Sequence, residues 1–290
     1  MNDTLDLGDL RAALDQVDYL VDDGLAMALF LATRLGQPLL LEGEPGVGKT
    51  TAAKALADAL GSELIRLQCY EGISAAEALY EWNYPRQMLA IRRAEAGGER
   101  LADADLFTDE FLVDRPLLRA VRSPDGPPPV LLIDEIDRSD GEFEALLLEF
   151  LGEGSVTVPE LGTFAAARPP VVILTSNRNR ELHDALKRRC YYHWIEYPSV
   201  TRAADIVRRR VPSASTALVE AATAFVSSAR SLDLDKPPGL AEAIDWVSAL
   251  HTLGVSDLEA TTGAAAIGSL AKTPDDLDEV RRHLSEAVPS

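Results

Sequence analysis

Basic residues are scarce: 28 lysines and arginines stand against 47 aspartates and glutamates, a formal charge of −19. Such a surface repels a nucleic-acid backbone unless a basic patch is segregated from it, which weighs against nucleic acid as the main partner. Plain solubility is an equally compatible reading of the same charge. Cysteine is scarcer still. Cys69 and Cys190 are far apart and form no CxxC pair, so neither a disulfide framework nor a zinc site is expected, and a reducing, cytoplasmic setting fits. No run approaches the roughly 20 apolar residues of a membrane span. The start, Met1–Asp6, is acidic and lacks the basic and apolar regions of a secretory leader. His183, His193, His251 and His283 show no ligand spacing, so no histidine-based metal site is expected.

Apolar residues are present in ordinary globular proportion, 47%, over a chain long enough to bury a core in one or two domains. They concentrate in three short runs, Pro38–Leu41, Val130–Ile133 and Val171–Leu174. Continuous rather than alternating apolar strands point to a parallel sheet covered on both faces. Leu64–Cys69 and His193–Tyr197 read as two more strands. Strands alternating with helical patterns predict an α/β fold with a parallel central sheet flanked by helices. After Pro198 only helical patterns occur: Thr201–Arg210, Ser215–Arg230, Leu240–Leu253, Asp257–Leu270 and Pro274–Ala287, punctuated by Pro212, Pro237-Pro238-Gly239, Gly254 and Pro274. The expected division is therefore an α/β domain over 1–198 and a small all-α domain over 199–290.

Between the first strand and its helix, Gly43-Glu44-Pro45-Gly46-Val47-Gly48-Lys49-Thr50 satisfies G-x-x-x-x-G-K-[ST], with Thr51 opening a helix to Leu60. Glycines let successive backbone N–H groups turn toward one anion, and a helix N-terminus adds positive potential. Lys49 then reaches the outer phosphates of a nucleotide and Thr50 ligates Mg²⁺. Val130–Asp134 followed by Glu135 is an apolar strand ending in two acids, and in a parallel sheet ligands gather at carboxyl ends of strands. Asp134 is the expected magnesium ligand and Glu135 the base that readies water. Taken alone, the two acids also fit a solvated loop. The third apolar strand ends in Thr175-Ser176-Asn177; Asn177 either contacts the γ-phosphate and lytic water or caps the next helix. Lys187-Arg188-Arg189 is a basic cluster before the last strand, either a surface patch or a source of a charge-stabilising guanidinium.

These four elements, in this order, resemble the AAA+ superfamily across the whole chain. Ile133-Asp134-Glu135-Ile136-Asp137-Arg138, Leu146–Leu151 and Gly154–Pro159 resemble the MoxR group. Leu79–Gln87, Arg115–Leu118 and Arg188–Tyr191 are similar to its CoxD branch, associated with maturation of carbon monoxide dehydrogenase. The resemblance implies a P-loop ATPase using ATP and Mg²⁺, with a helical lid. Lys49 and Thr50 match Walker A, Asp134 and Glu135 Walker B, Asn177 sensor 1, and Arg189, with Arg188 next, the arginine finger given to a neighbouring subunit. It also implies a hexameric ring, a partner carrying a von Willebrand A domain, and chaperone-like remodelling of, or cofactor insertion into, a metalloenzyme client. An insert at about 71–100 and a hairpin at about 153–165 then face the pore. Tyr80, Trp82 and Tyr84 in the insert fit either client contact or a local core. The lid departs from the pattern: Lys236-Pro237-Pro238-Gly239-Leu240 has no arginine where sensor 2 is expected, and Lys236 lacks a guanidinium's bidentate fork. Two rival readings are a DNA-directed motor, which the charge opposes, and a nucleotide-gated scaffold with little turnover.

Overall fold

A computed structural model of the chain describes residues 6–123 and 126–287. They form two compact units. The first comprises 6–17, 21–42, 52–123 and 126–193; the second comprises 18–20, 43–51 and 194–287.

The chain opens with helices α1 (Leu7–Gln16) and α2 (Asp23–Leu35), each capped by an aspartate, Asp6 and Asp22, accepting a backbone N–H. Strand β1 (Leu39–Gly43), helix α3 (Lys49–Leu60) and strand β2 (Leu64–Gln68) follow. Then come α4 (Ala75–Ala78), β3 (Tyr80–Trp82), α5 (Tyr84–Ala96), α6 (Asp103–Leu106), β4 (Leu112–Asp114) and α7 (Pro116–Val121). Next are β5 (Val130–Asp134), α8 (Gly141–Glu153), the hairpin β6 (Ser155–Val158) and β7 (Gly162–Ala165), β8 (Val171–Ser176), α9 (Asp184–Arg189) and β9 (Tyr191–Ile195). Helices complete the chain: α10 (Val200–Arg210), α11 (Thr216–Ala229), α12 (Leu240–Thr252), α13 (Ala260–Ala265) and α14 (Pro274–Ala287).

The central sheet has the order β2-β5-β8-β1-β9. Pairing is parallel wherever its register is defined: Leu39 opposes Ile173, Val130 opposes Val171, and Leu64 opposes Val130. Every residue of β1, β5 and β8 is buried, which is why these strands read as unbroken apolar runs. The parallel α/β architecture followed by helices is the one the sequence predicts. Because the strands run parallel, β1, β5 and β8 bring Glu42, Asp134 and Ser176 to the same end of the sheet.

Three local expectations differ from the structure. Helix α3 begins at Lys49, not Thr51, so Lys49 and Thr50 already belong to its first turn. Strand β9 runs Tyr191–Ile195, two residues earlier than expected. The Tyr191 N–H donates to Pro38 O at 2.7 Å and starts the pairing. The predicted helix Asp257–Leu270 is reduced to α13 and a 3₁₀ turn, Ile267–Ser269. Gly263 and Gly268 weaken it, and Leu284 Cδ2 would lie 2.9 Å from a Cβ on Gly263. Within the predicted insert, β3 pairs antiparallel with β4, Trp82 opposite Leu112. Trp82 is buried edge-on against Phe107 at 5.2 Å, and Tyr80 lies 6.3 Å from Trp82, so these two aromatics form a local core while Tyr84 stays exposed.

The second unit has its own core around Trp246, which is fully buried and 5.3 Å from Phe225. Among the described residues no helix is long and apolar enough to cross a membrane.

Candidate functional site

The phosphate-type loop leaves directly from β1. Gly46 (φ +77) and Gly48 (φ +99) adopt backbone conformations that side chains resist, and they wind the loop into the first turn of α3. Lys49 is 7% exposed; its ammonium donates to Gly43 O at 2.7 Å and Glu44 O at 2.8 Å. Val47 is buried as the loop's apolar anchor, while Glu44, Pro45, Gly46 and Thr51 are exposed. Gly43 is closely packed: a Cβ there would stand 3.1 Å from Val47 Cγ2. Backbone amides at a helix start and a buried ammonium are donors suited to a phosphate, and the Thr50 hydroxyl oxygen is a ligand suited to its hard cation.

The acid pair sits in the first unit. Asp134 is 2% exposed and both its oxygens are held. Oδ1 accepts from Thr175 Oγ1 at 2.6 Å, and Oδ2 accepts from Arg66 Nη2 at 2.6 Å and Nε at 3.0 Å. Glu135 is non-glycine yet left-handed (φ 56), a conformation that costs about 1–3 kcal/mol and persists only when its surroundings impose it. Part of that imposition is visible: the Glu135 N–H donates to Thr175 Oγ1 at 2.9 Å. One buried hydroxyl thus ties the two acids together. The Glu135 carboxylate is turned outward, accepting from Gln68 Nε2 and Arg138 Nη1, each at 3.0 Å.

Asn177 does not cap the next helix. That helix, α9, begins at Asp184 after His183. Instead the Asn177 N–H donates to Asp137 Oδ2 at 3.2 Å, and the same oxygen accepts from Asn179 N and Nδ2 at 2.8 Å. Asp137, 2% exposed, is therefore the hub that shapes the segment after β8. Asn177 and Glu135 meet in one cleft of about 750 Å³, lined also by Glu71, Asp137, Arg138 and Arg180.

Arg188 and Arg189 do not line that cleft. Arg188 is exposed; Arg189 donates Nη1 to Leu148 O at 2.5 Å, in the last turns of α8, where a cation also favours the helix dipole. Burial pushes the Cys69 and Cys190 thiols up to about 12; for Cys69, Asp134, Asp137 and Glu135 add to the effect. Both thiols stay protonated at neutral pH, and neither is a nucleophile here.

Arg66, Gln68, Asp137 and Thr175 were not singled out from the sequence. For two of them a signal was available. Arg66 and Gln68 alternate on β2, and the register sets Gln68 opposite Asp134. Thr175 and Asp137 carried none, because their roles depend on which strand lies beside β5. Thr175→Val tests the tie. It keeps the volume but strips a part-buried N–H and a buried carboxylate oxygen of a partner, at about 1–3 kcal/mol each. Urea unfolding should show a loss of about 2–4 kcal/mol, with Thr175→Ser recovering most of it; a valine variant as stable as the parent would remove the tie from its role.

Several known proteins are similar to this chain. A Lon protease of Halothermothrix orenii is 29% identical over 161 residues, 51% of this chain. The chain spans only 17% of that relative's length. Two mutant forms of RuvB from Thermotoga maritima superpose with TM-scores of 0.52 and 0.50, each at 16% identity. They cover 87% and 86% of this chain and 70% of their own, a likeness of fold alone. The family model for an AAA domain of the dynein-related subfamily matches residues 38–190, more than half of the chain, which therefore belongs to that family.

Proposed function

We propose that the protein is a Mg²⁺-dependent ATPase. One observation carries this reading: Gly46 and Gly48 wind the loop into the first turn of α3, where Lys49 is buried with its ammonium on Gly43 O and Glu44 O. The Gly43–Thr51 backbone and Lys49 would hold the phosphates, and Thr50 and Asp134 are the residues that would hold the cation. When bound, magnesium neutralises charge on the outer phosphates and fixes their geometry. Glu135 accepts a proton from the attacking water, and Asn177 orients that water against the γ-phosphate. Calorimetry on the full chain with magnesium tests the reading: stoichiometric ATP and ADP uptake, with phosphate release that EDTA abolishes, is expected. No uptake by folded protein at any concentration would overturn it.

The finer reading follows the resemblance. The chain is placed in the MoxR group near the CoxD branch, in the cytoplasm. It divides into a nucleotide domain over 1–198 and a lid over 199–290, and assembles as a ring, six subunits being the family's usual number. Arg189, or Arg188, acts across the subunit boundary; both lie outside their own chain's cleft, which favours a role in trans. A von Willebrand A partner and a metalloenzyme client, of the molybdenum carbon monoxide dehydrogenase type, complete it. Co-purification from the native host tests this level separately from nucleotide chemistry.

A further inference from the structure

The second unit brings together two stretches nearly 200 residues apart in sequence, the outer arc of the phosphate loop and the approach to α12. Glu44 pairs with Arg230, the residue that ends α11. Arg230 also donates Nη1 to Pro238 O at 2.8 Å, and its guanidinium lies 3.9 Å over the ring of Tyr197. Its side chain is only 15% exposed, whereas Glu44 is 53% exposed. Beside this pair Gly239 lies backbone to backbone with the loop. A Cβ on Gly239 would stand 3.0 Å from Pro45 O, 3.2 Å from Gly46 Cα and 2.9 Å from Glu242 Oε2. No side chain fits at Gly239 without moving the loop, so the missing arginine of the Lys236–Leu240 stretch cannot be supplied there. Lys236 is exposed, and its backbone N–H donates to Asp276 Oδ2 at 3.2 Å.

We infer that Arg230 is a positioning residue that acts through Glu44, coupling the phosphate loop to the helical unit. This rests on the loop binding nucleotide as proposed above. The loop's amides and Lys49 attract an anion, but Glu44 places a carboxylate in the same loop and opposes it. Arg230 cancels that carboxylate. Pro238 O and the Tyr197 ring hold the guanidinium in place beforehand, so little side-chain freedom is lost in pairing. Because the same guanidinium holds Pro238, immediately before the Gly239 contact, a shift of the loop is felt at the start of α12. The helical unit therefore reads the loop through a different helix end from the one the sequence pattern suggests.

The experiment is a double-mutant cycle read by calorimetry of Mg·ADP binding to the full chain, using the parent, Arg230→Ala, Glu44→Gln and the double variant. Glu44 is half-exposed, so the effect is modest: Arg230→Ala should weaken binding about fivefold. In the Glu44→Gln background the same change should cost less than about twofold. The loss should shrink at about 0.5 M salt, which a purely structural role would not do. Should Arg230→Ala fail to fold, Arg230→Gln makes the same comparison without the charge. Unchanged affinity for Arg230→Ala overturns the inference, as does a double variant as weak as Arg230→Ala. Failure of the folded parent to bind any nucleotide would instead sink the reading of the loop, and this inference with it.

Discussion

Glu135→Gln should lower steady-state phosphate release about a thousandfold while leaving ATP affinity within about threefold of the parent. The substitution keeps the shape and one carbonyl-type oxygen, so the bonds from Gln68 Nε2 and Arg138 Nη1 both retain an acceptor. The Glu135 backbone N–H still reaches Thr175, so the left-handed conformation is retained. What disappears is a base able to take a proton from water. A loss confined to turnover isolates that step; turnover within about threefold of the parent would remove Glu135 from the role. The same variant probes assembly. Its own site is dead but its Arg189 is intact, whereas Arg189→Ala has the reverse defect. Mixing the two should restore partial turnover if Arg189 serves a neighbour's site. No recovery in verified mixed rings would argue that Arg189 only braces Leu148 at the end of α8.

Lys49→Ala should weaken nucleotide binding about a hundredfold or more, because it removes a buried, hydrogen-bonded positive charge. The loss has two sources. Lys49 is 7% exposed, so its charge acts at short range with little screening, and its ammonium staples Gly43 O and Glu44 O into the curve of the loop. Arginine is not expected to rescue it: a planar guanidinium is too large for a site whose two acceptors are 2.7 and 2.8 Å from one nitrogen. Calorimetry with ADP and ATP separates the sources. A charge effect on the outer phosphates weakens ATP more than ADP, whereas a collapsed loop weakens both alike. Affinity within about threefold of the parent for both nucleotides would show that the loop does not work through Lys49.

The parts legible from the sequence share one property: their meaning is local. Gly43–Thr50 announces a phosphate loop because the conformations it needs are properties of glycine and of a helix start. Val130–Asp134 and Val171–Ser176 announce buried parallel strands because all of their residues are apolar until the last positions. Errors arose where a neighbour decided the outcome. The start of β9 depended on Pro38 O, and the fate of 257–270 on what packs at Gly263.

Composition and motif spacing alone determined that this is an α/β chain with a phosphate-type loop, two strand-end acids and a helical C-terminal part. Those features are written in residue types and short periods along the chain. Tertiary structure alone decided which groups hold the acids and the loop: Thr175 and Arg66 on Asp134, Gln68 on Glu135, Asp137 beneath Asn177, and Arg230 on Glu44. Such contacts join positions 40 to 186 residues apart. A hydrogen bond depends on distance in space, which no spacing in the linear sequence specifies until strands β2, β5 and β8 lie side by side and α11 ends beside the loop.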